Sequence, residues 1–267
     1  GQNIYLCTAA NTWTQVQGGG GGGSFDWKPD SRYIWAKAEF LIVPVGSSHV
    51  EGGFVFSRVE GTQNLNSPTG GQGSALELGT VGISTTSTSG NRTRYGTLMQ
   101  YGGFPSNASG LYGMTTLPWE IVVVFRWPTA AYLSDSSTVI ALSADNSSWP
   151  SQGIGVRYID GTDTYLTLYS SDSNGSWGTT LATTVTPGTA WHRLKIRSDG
   201  ATAYKVWVSI DGGPEVDVCP SGCTLTQNTS GGSSLVRLIC AIQTNVAEQK
   251  LVQLDYVHLW LDRGAAR

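Results

Sequence analysis

Charge is scarce in this chain: 13% of its 267 residues are Asp, Glu, Lys or Arg, against about 25% in a typical soluble domain. The net charge of −3 leaves no basic surplus, which argues against a nucleic-acid binder. No apolar run approaches the ~18 residues that a membrane-spanning helix needs. Histidine is nearly absent, and His49, His192 and His258 are too few for a histidine-rich metal site. Helical signals are missing as well, since no window of about 11 residues carries apolar positions at helical spacing between two caps. No repeat of about 20–50 residues is evident, which counts against a propeller or solenoid. No signal peptide follows Gly1, which is not an initiator methionine, so the chain is expected to be a processed product or part of a longer protein.

What is present is glycine, with 35 residues, together with many Ser and Thr and short alternating runs. This composition is common in extracellular β modules, adhesins and virion proteins. Trp191 to Val218 is the most informative stretch. His192, Leu194 and Ile196 alternate with Arg193, Lys195 and Arg197, the period of a half-buried strand. A turn at Ser198-Asp199-Gly200 leads into a second alternation, Val206, Val208 and Ile210 against Lys205, Trp207 and Ser209, and Asp211-Gly212-Gly213 closes the next hairpin. Further strands are expected over 33–44, 50–60, 74–81, 94–102, 119–127, 137–144, 154–160, 165–170, 179–185, 215–219, 235–243 and 250–261. Clusters of Gly, Ser, Asn, Asp and Pro separate them. Many short antiparallel strands predict an all-β, two-sheet sandwich or jelly roll.

Three segments are expected: an N-terminal β arm over 1–17, a polyglycine linker over 18–24 built on Gly18–Gly23, and a jelly-roll domain over 25–263. The arm either stands apart or adds a strand to the main domain. Cys219-Pro-Ser-Gly-Cys223 lies at a turn that brings two sulfurs within reach of a disulfide. Cys240 reads as a buried free thiol on the face of Leu238 and Ile242, with Cys7 as an alternative partner.

Thr189-Ala190-Trp191-His192-Arg193-Leu194-Lys195-Ile196, the Asp211-Gly212 hairpin and the closing run Leu254-Asp255-Tyr256-Val257-His258-Leu259 resemble laminin-G-like, concanavalin A-like jelly-roll modules. Residues 119–263 carry this resemblance well and 25–118 only in general character. The opening Ile4-Tyr5-Leu6-Cys7, with the polyglycine after it, is similar to connector segments of phage tail fibres and bacterial surface proteins. There such modules act as receptor- or glycan-binding tips on homotrimeric shafts. The resemblance implies an extracellular, cell-surface or virion location and a homo-oligomer, a trimer among the options.

Jelly-roll glycosidases work with two carboxylates flanking a sugar bond. Glu215-Val216-Asp217 is the nearest match to a paired-acid strand, but no third acid follows, and solvation of an edge strand accounts for it. Glu120, in Trp119–Trp127, slightly resembles the nucleophile of a small jelly-roll cellulase family. That family's methionine–tryptophan signature and second acid are missing, and a structural salt bridge is the plainer reading. Asp145, Asp160 and Asp163 lie in turns that would hold calcium on rim loops in related modules, although turns favour Asp for backbone reasons alone. No cofactor is required.

Aromatic residues make up 10% of the chain, and most belong in a sandwich core. Trp149 and Trp177 fall in Ser/Pro/Asn/Gly loops, where a ring can stack on a sugar. Trp207 shares a face with Lys205 and, across the strand, with Arg193, Lys195 and Arg197. That patch could bind an acidic polysaccharide, while a basic face covering a tryptophan is the plainer reading. The leading expectation is a glycan- or cell-surface-polysaccharide-binding module of a fibre or surface assembly. A glycoside hydrolase or polysaccharide lyase on the same fold and a structural virion or filament subunit are the alternatives.

Overall fold

The computed structural model describes residues 5–9, 12–15, 33–40, 47–51, 54–63, 65, 79–99, 118–143, 153–171, 179–199, 205–219 and 237–262. In chain order the first strands are β1 (Tyr5–Ala9), β2 (Thr12–Gln15), β3 (Tyr33–Ala38), β4 (Ser48–Glu51), β5 (Phe54–Glu60) and β6 (Val81–Ser84). Next come β7 (Arg92–Met99), β8 (Trp119–Arg126), β9 (Ser136–Ser143), β10 (Gly153–Ile159), β11 (Thr167–Ser171) and β12 (Thr179–Ala182). The last are β13 (His192–Ser198), β14 (Trp207–Ile210), β15 (Val216–Asp217), β16 (Arg237–Thr244) and β17 (Leu251–Asp262). Among the described residues, a 3-10 turn at Ala130–Tyr132 precedes β9.

All the pairings between these strands are antiparallel, as the short alternating runs require. An eight-stranded sheet has the order β12-β11-β10-β9-β16-β7-β5-β4. A seven-stranded sheet runs β15-β14-β13-β8-β17-β3, with β6 also paired to β17. β1 and β2 pair with each other as a two-stranded sheet. One core lies between the two large sheets. Ile121, Val123, Phe125, Leu194, Ile196, Val208 and Leu259 from one sheet meet Phe56, Tyr95, Ile140, Leu142, Val156, Leu168 and Ile242 from the other. Burial of apolar side chains on facing sheets is what holds such a sandwich together. The protein is thus an all-β, two-sheet antiparallel jelly-roll sandwich.

One local departure from the sequence reading has a clear cause. The run 50–60, expected as one strand, is two: β4 and β5 pair antiparallel with Glu51 opposite Phe54. Strand-forming residues on both sides of Gly52-Gly53 hide the reversal in the sequence. Of the strand expected over 74–81, residues 74–78 lie outside the described residues; the described strand is β6, which starts at Val81 and pairs with β17 from Val81–Leu254 to Ser84–Leu251.

Two backbone details position the faces of the seven-stranded sheet. Asp211 and Gly212 have φ of 51° and 72°, the paired positive values of a type I′ turn. Gly213 N–H closes that turn on Ile210 C=O at 2.9 Å. In β17 the register against β8 shifts between Leu254 and Tyr256. The extra residue, Asp255, moves the core-facing set from Val252 and Leu254 to Val257 and Leu259, and turns Tyr256, His258 and Trp260 outward.

Candidate functional site

The outer face of the seven-stranded sheet gathers the charged residues that the alternation of β13 and β14 points away from the core. Arg193, Lys195 and Arg197 face outward while His192, Leu194 and Ile196 are buried. β13 lies between β8 and β14, so Arg197 stands opposite Glu120 on one side and Trp207 on the other. The Arg197 guanidinium carbon sits 4.5 Å from the Trp207 ring centroid, within the range of a cation–π contact.

Glu215, just before β15, holds this arrangement in place. Its carboxylate accepts from Arg197 Nε at 2.7 Å and Nη2 at 2.5 Å, and stands 2.6 Å from Lys195 Nζ. The hydrogen bonds from Arg197, and then from Lys195, pull the Glu215 carboxyl down to about 2. The same bond raises the Arg197 guanidinium further. Glu215 was expected as mere solvation of a hairpin. It is instead a two-cation clamp, because strand order brings it beside β13. Asp217 pairs with Lys205 at 3.9 Å and accepts from Cys219 N–H at 2.9 Å.

Glu120, the candidate nucleophile, lies on this outer face, 3.9 Å from Lys195 Nζ. Glu120 and Glu215 therefore lie against one ammonium group. A glycosidase acid must hold a proton near neutral pH, and Glu215 does not. Arg193 is exposed on the same face, and its backbone N–H donates to Asp211 Oδ1 at 2.6 Å.

The neighbouring strands extend the face with aromatic groups. Tyr256 and His258 stand with ring centroids 6.0 Å apart, and Lys37 Nζ lies 5.5 Å from the Tyr256 centroid. Burial lowers the His258 imidazole below its ordinary value, so the ring is neutral at pH 7. Lys37 also pairs with Glu39. Arg126 stacks over Trp191 at 4.4 Å and donates from Nε to Gln253 Oε1 at 2.8 Å.

The other expected site residues are placed as follows. Asp160 Oδ2 accepts Asp135 N–H at 2.7 Å, and its Oδ1 accepts Tyr158 O–H at 2.8 Å. These bonds lower the Asp160 carboxyl. Asp163 Oδ2 accepts Ile159 N–H at 3.0 Å and lies 3.5 Å from Arg157 Nε. Both carboxylates thus serve their own turn. Among the described residues, no three His, Cys, Asp or Glu side chains gather as a metal site. Asp145, Trp149, Trp177 and Cys223 lie outside the described residues. Cys219 is disulfide-bonded, and Cys240 is a buried free thiol. His192 Nδ1 is 2.8 Å from Asp211 Oδ2, and its ring packs on Phe125 and Trp127. His49 and Glu51 pair at 3.0 Å on β4. Both histidines are used by the fold.

A second set of residues escaped the sequence reading. On the outer face of the eight-stranded sheet, Gly96, Ile239, Ala141, Gly155 and Tyr169 are successive cross-strand neighbours. The next row is Arg94, Ala241, Val139, Arg157 and Thr167. Val139, Ala141, Tyr169, Ile239 and Ala241 form a buried cluster separate from the main core. The signal was there in the small residues at outward positions of four adjacent strands, but it is visible only once the strand order is known.

No family model matches the sequence, and no curated protein matches it. Solved structures do share its fold. One is a protein of unknown function from Shewanella oneidensis MR-1, with a TM-score of 0.51 and 15% identity, covering 88% of this chain and 90% of that one. Another is an endo-1,3-beta-glucanase from Streptomyces sioyaensis, with a TM-score of 0.51 and 12% identity, covering 87% of this chain and 98% of that one. At such identities the likeness is one of architecture: the chain has the two-sheet jelly roll that an endo-1,3-beta-glucanase also has.

Proposed function

We propose that the chain is a glycan-recognition module that binds through the outer face of its seven-stranded sheet. The observation that carries this reading is the Arg197–Trp207 stack clamped by Glu215. It offers an aromatic face and fixed donors and acceptors whose side-chain freedom is already lost before a ligand arrives. Arg193, Lys195, Tyr256 and His258 surround it and complete a polar and aromatic surface of the kind that receives sugar hydroxyls and ring faces. Because Glu215 and Glu120 balance part of the basic charge, the face suits neutral or mildly acidic saccharides rather than a polyanion alone.

Binding without turnover is favoured over hydrolysis by the state of Glu215. Glu120 and Glu215 share Lys195, and Glu215, its carboxyl pulled down by Arg197 and Lys195, is not set as a proton donor to a glycosidic oxygen. The fold shared with a glucanase is consistent with saccharide chemistry in either form. The module belongs on an extracellular, cell-surface or virion assembly, with Trp149 and Trp177 as further loop contacts and the 1–17 arm serving oligomerisation. A glycan array probed with the intact protein, with and without calcium, tests this. Binding to a defined set of glycans supports it. No binding to any glycan, or release of reducing sugar from a polysaccharide panel that Glu120→Gln abolishes, contradicts it.

A further inference from the structure

Most cations on the outer face of the seven-stranded sheet already have partners. Arg197 and Lys195 bind Glu215, Lys195 also faces Glu120, Lys205 pairs with Asp217, and Lys37 pairs with Glu39. Arg126 donates to Gln253 and lies over Trp191. Arg193 differs: it is exposed, and its guanidinium makes no hydrogen bond or ion pair among the described residues. The neighbouring acid is used elsewhere. Asp211 Oδ1 accepts the Arg193 backbone N–H at 2.6 Å, and Oδ2 stands 2.8 Å from His192 Nδ1. Asp211 N–H donates in turn to Arg193 C=O at 2.9 Å. These bonds fix the Arg193 backbone and leave its side chain uncommitted.

A β-bulge two strands away decides what the arginine faces. Arg193 stands opposite Val124 on β8, and Val124 stands opposite Tyr256 on β17. An unbroken ladder beyond the Leu254–Phe125 pair would set Asp255 opposite Val124, an acid in the row of the arginine. The bulge sets Tyr256 there instead, and His258 follows in the next row, opposite Val122. Lys195 and Lys37 stand at either end of that second row. Tyr256 meets His258 and Lys37 through its ring, and among the described residues the polar atoms of Tyr256 and His258 make no hydrogen bond.

β8 thus places short side chains between two strands that carry long ones, and Val122 and Val124 floor a shallow trough. Val122 is 2% exposed and Val124 is half-buried, so the trough opens at the row of Arg193 and Tyr256. Neighbouring strands lie about 4.8 Å apart, which leaves room for one sugar ring on the valine between the two walls. The charge of Arg193 reaches the far wall: burial lowers the His258 imidazole, Glu120 opposes this, and Lys37 and Arg193 add to it.

We infer that this trough reads the carboxylate of an acidic sugar, a step that rests on the glycan-binding role of the face. Arg193 grips the carboxylate with its planar fork of donors. Val124 meets the ring face, and the Tyr256 hydroxyl and His258 ring bind sugar hydroxyls from the opposite wall. One uncompensated cation selects for one carboxylate, not for a polyanion. Arg193 and Arg197 are four residues apart on β13, about 13 Å of strand, so an oligosaccharide reaches both the trough and the Trp207 stack.

The test is the affinity of the intact protein for trigalacturonate and for its methyl ester, which keeps the rings and hydroxyls and removes the charge. A hyaluronan tetrasaccharide and its methyl ester serve as a second pair. Wild type is expected to prefer the acid of at least one pair by ~10-fold or more, the size of a hydrogen bond to a charged group. Arg193→Gln is expected to bring that ratio close to one, and Arg193→Lys to keep part of it. Tyr256→Phe is expected to weaken the acid at least ~3-fold. Arg193→Gln is also expected to melt with the wild type, because its side chain holds nothing in the fold. The inference is overturned by equal affinity for acid and ester, by a ratio that Arg193→Gln leaves unchanged, or by inorganic sulfate competing as well as the acid. A lowered melting temperature for Arg193→Gln overturns it too, by assigning the side chain to the fold. If acid and ester bind equally and Trp207→Ala weakens both, the recognition face stands and the carboxylate assignment alone falls. If neither pair binds, the assignment falls, and the glycan array decides the face separately.

Discussion

Trp127 Nε1 donates a hydrogen bond of 3.1 Å to Thr138 Oγ1 through the middle of the core. The tryptophan directly follows β8 of one sheet and the threonine belongs to β9 of the other, so this one bond ties the two layers together. The indole also meets Phe125 and Tyr158 edge-on, with centroids 5.5 and 5.9 Å away. Trp127→Phe is expected to cost about 2–4 kcal/mol, from lost volume and an unpaired threonine hydroxyl. Thr138→Val is expected to cost about 1–3 kcal/mol, because it strands a buried indole N–H. Chemical denaturation of both single variants and the double variant checks this, and the double variant is expected to cost less than the sum.

Acid stability should report on Glu215. Its carboxyl titrates near 2 when folded, below the ordinary value of 4.5. A carboxyl lowered by folding contributes stability that is fully present above about pH 4.5 and disappears as the pH falls towards about 2. Glu215→Gln is therefore expected to flatten the loss of melting temperature between those limits. At neutral pH the variant should lose about 1 kcal/mol or less, since the clamp is partly solvated. Melting curves from pH 7 down to about pH 2 decide it; an unchanged acid limb contradicts the clamp.

Gly155 admits no side chain. A Cβ there would stand 2.2 Å from Ile140 O and 2.9 Å from the Ala141 Cβ. Gly155→Ala is expected to destabilise by about 1–3 kcal/mol through overpacking against β9. Thermal melting of this variant beside Gly161→Ala separates packing from backbone strain. Gly161 has nothing within 4 Å of such a Cβ but a φ of +76°, so its cost is conformational alone.

Much of the fold was legible from residue order. Alternation marked β13 because it has one face in the core, and Asp211-Gly212 announced a turn whose positive φ values few other pairs accept. Strand order left no such trace. Glu215 follows Lys195 by twenty positions, and only the β13-β14-β15 order places its carboxylate between Lys195 and Arg197. For the same reason Gly96, Ala141 and Gly155 look like unrelated small residues until β7, β16, β9 and β10 lie side by side.

Cys240 offers a check on the core itself. Burial pushes its thiol up to about 12, so almost no reactive thiolate exists near neutral pH. Native protein treated with iodoacetamide at about pH 8 is expected to leave the Cys240 peptide unmodified, and denatured protein to label it fully. Rapid native labelling contradicts the packing of β16.

The central claim is that the Arg197–Trp207 face binds glycan. The most direct measurement is the affinity of the strongest array glycan for wild-type protein and for Trp207→Ala, taken with their melting temperatures. The account predicts at least a ~10-fold loss of affinity, equivalent to about 1.4 kcal/mol, with the variant still folded and its melting transition cooperative. Equal affinity in the two proteins would contradict it.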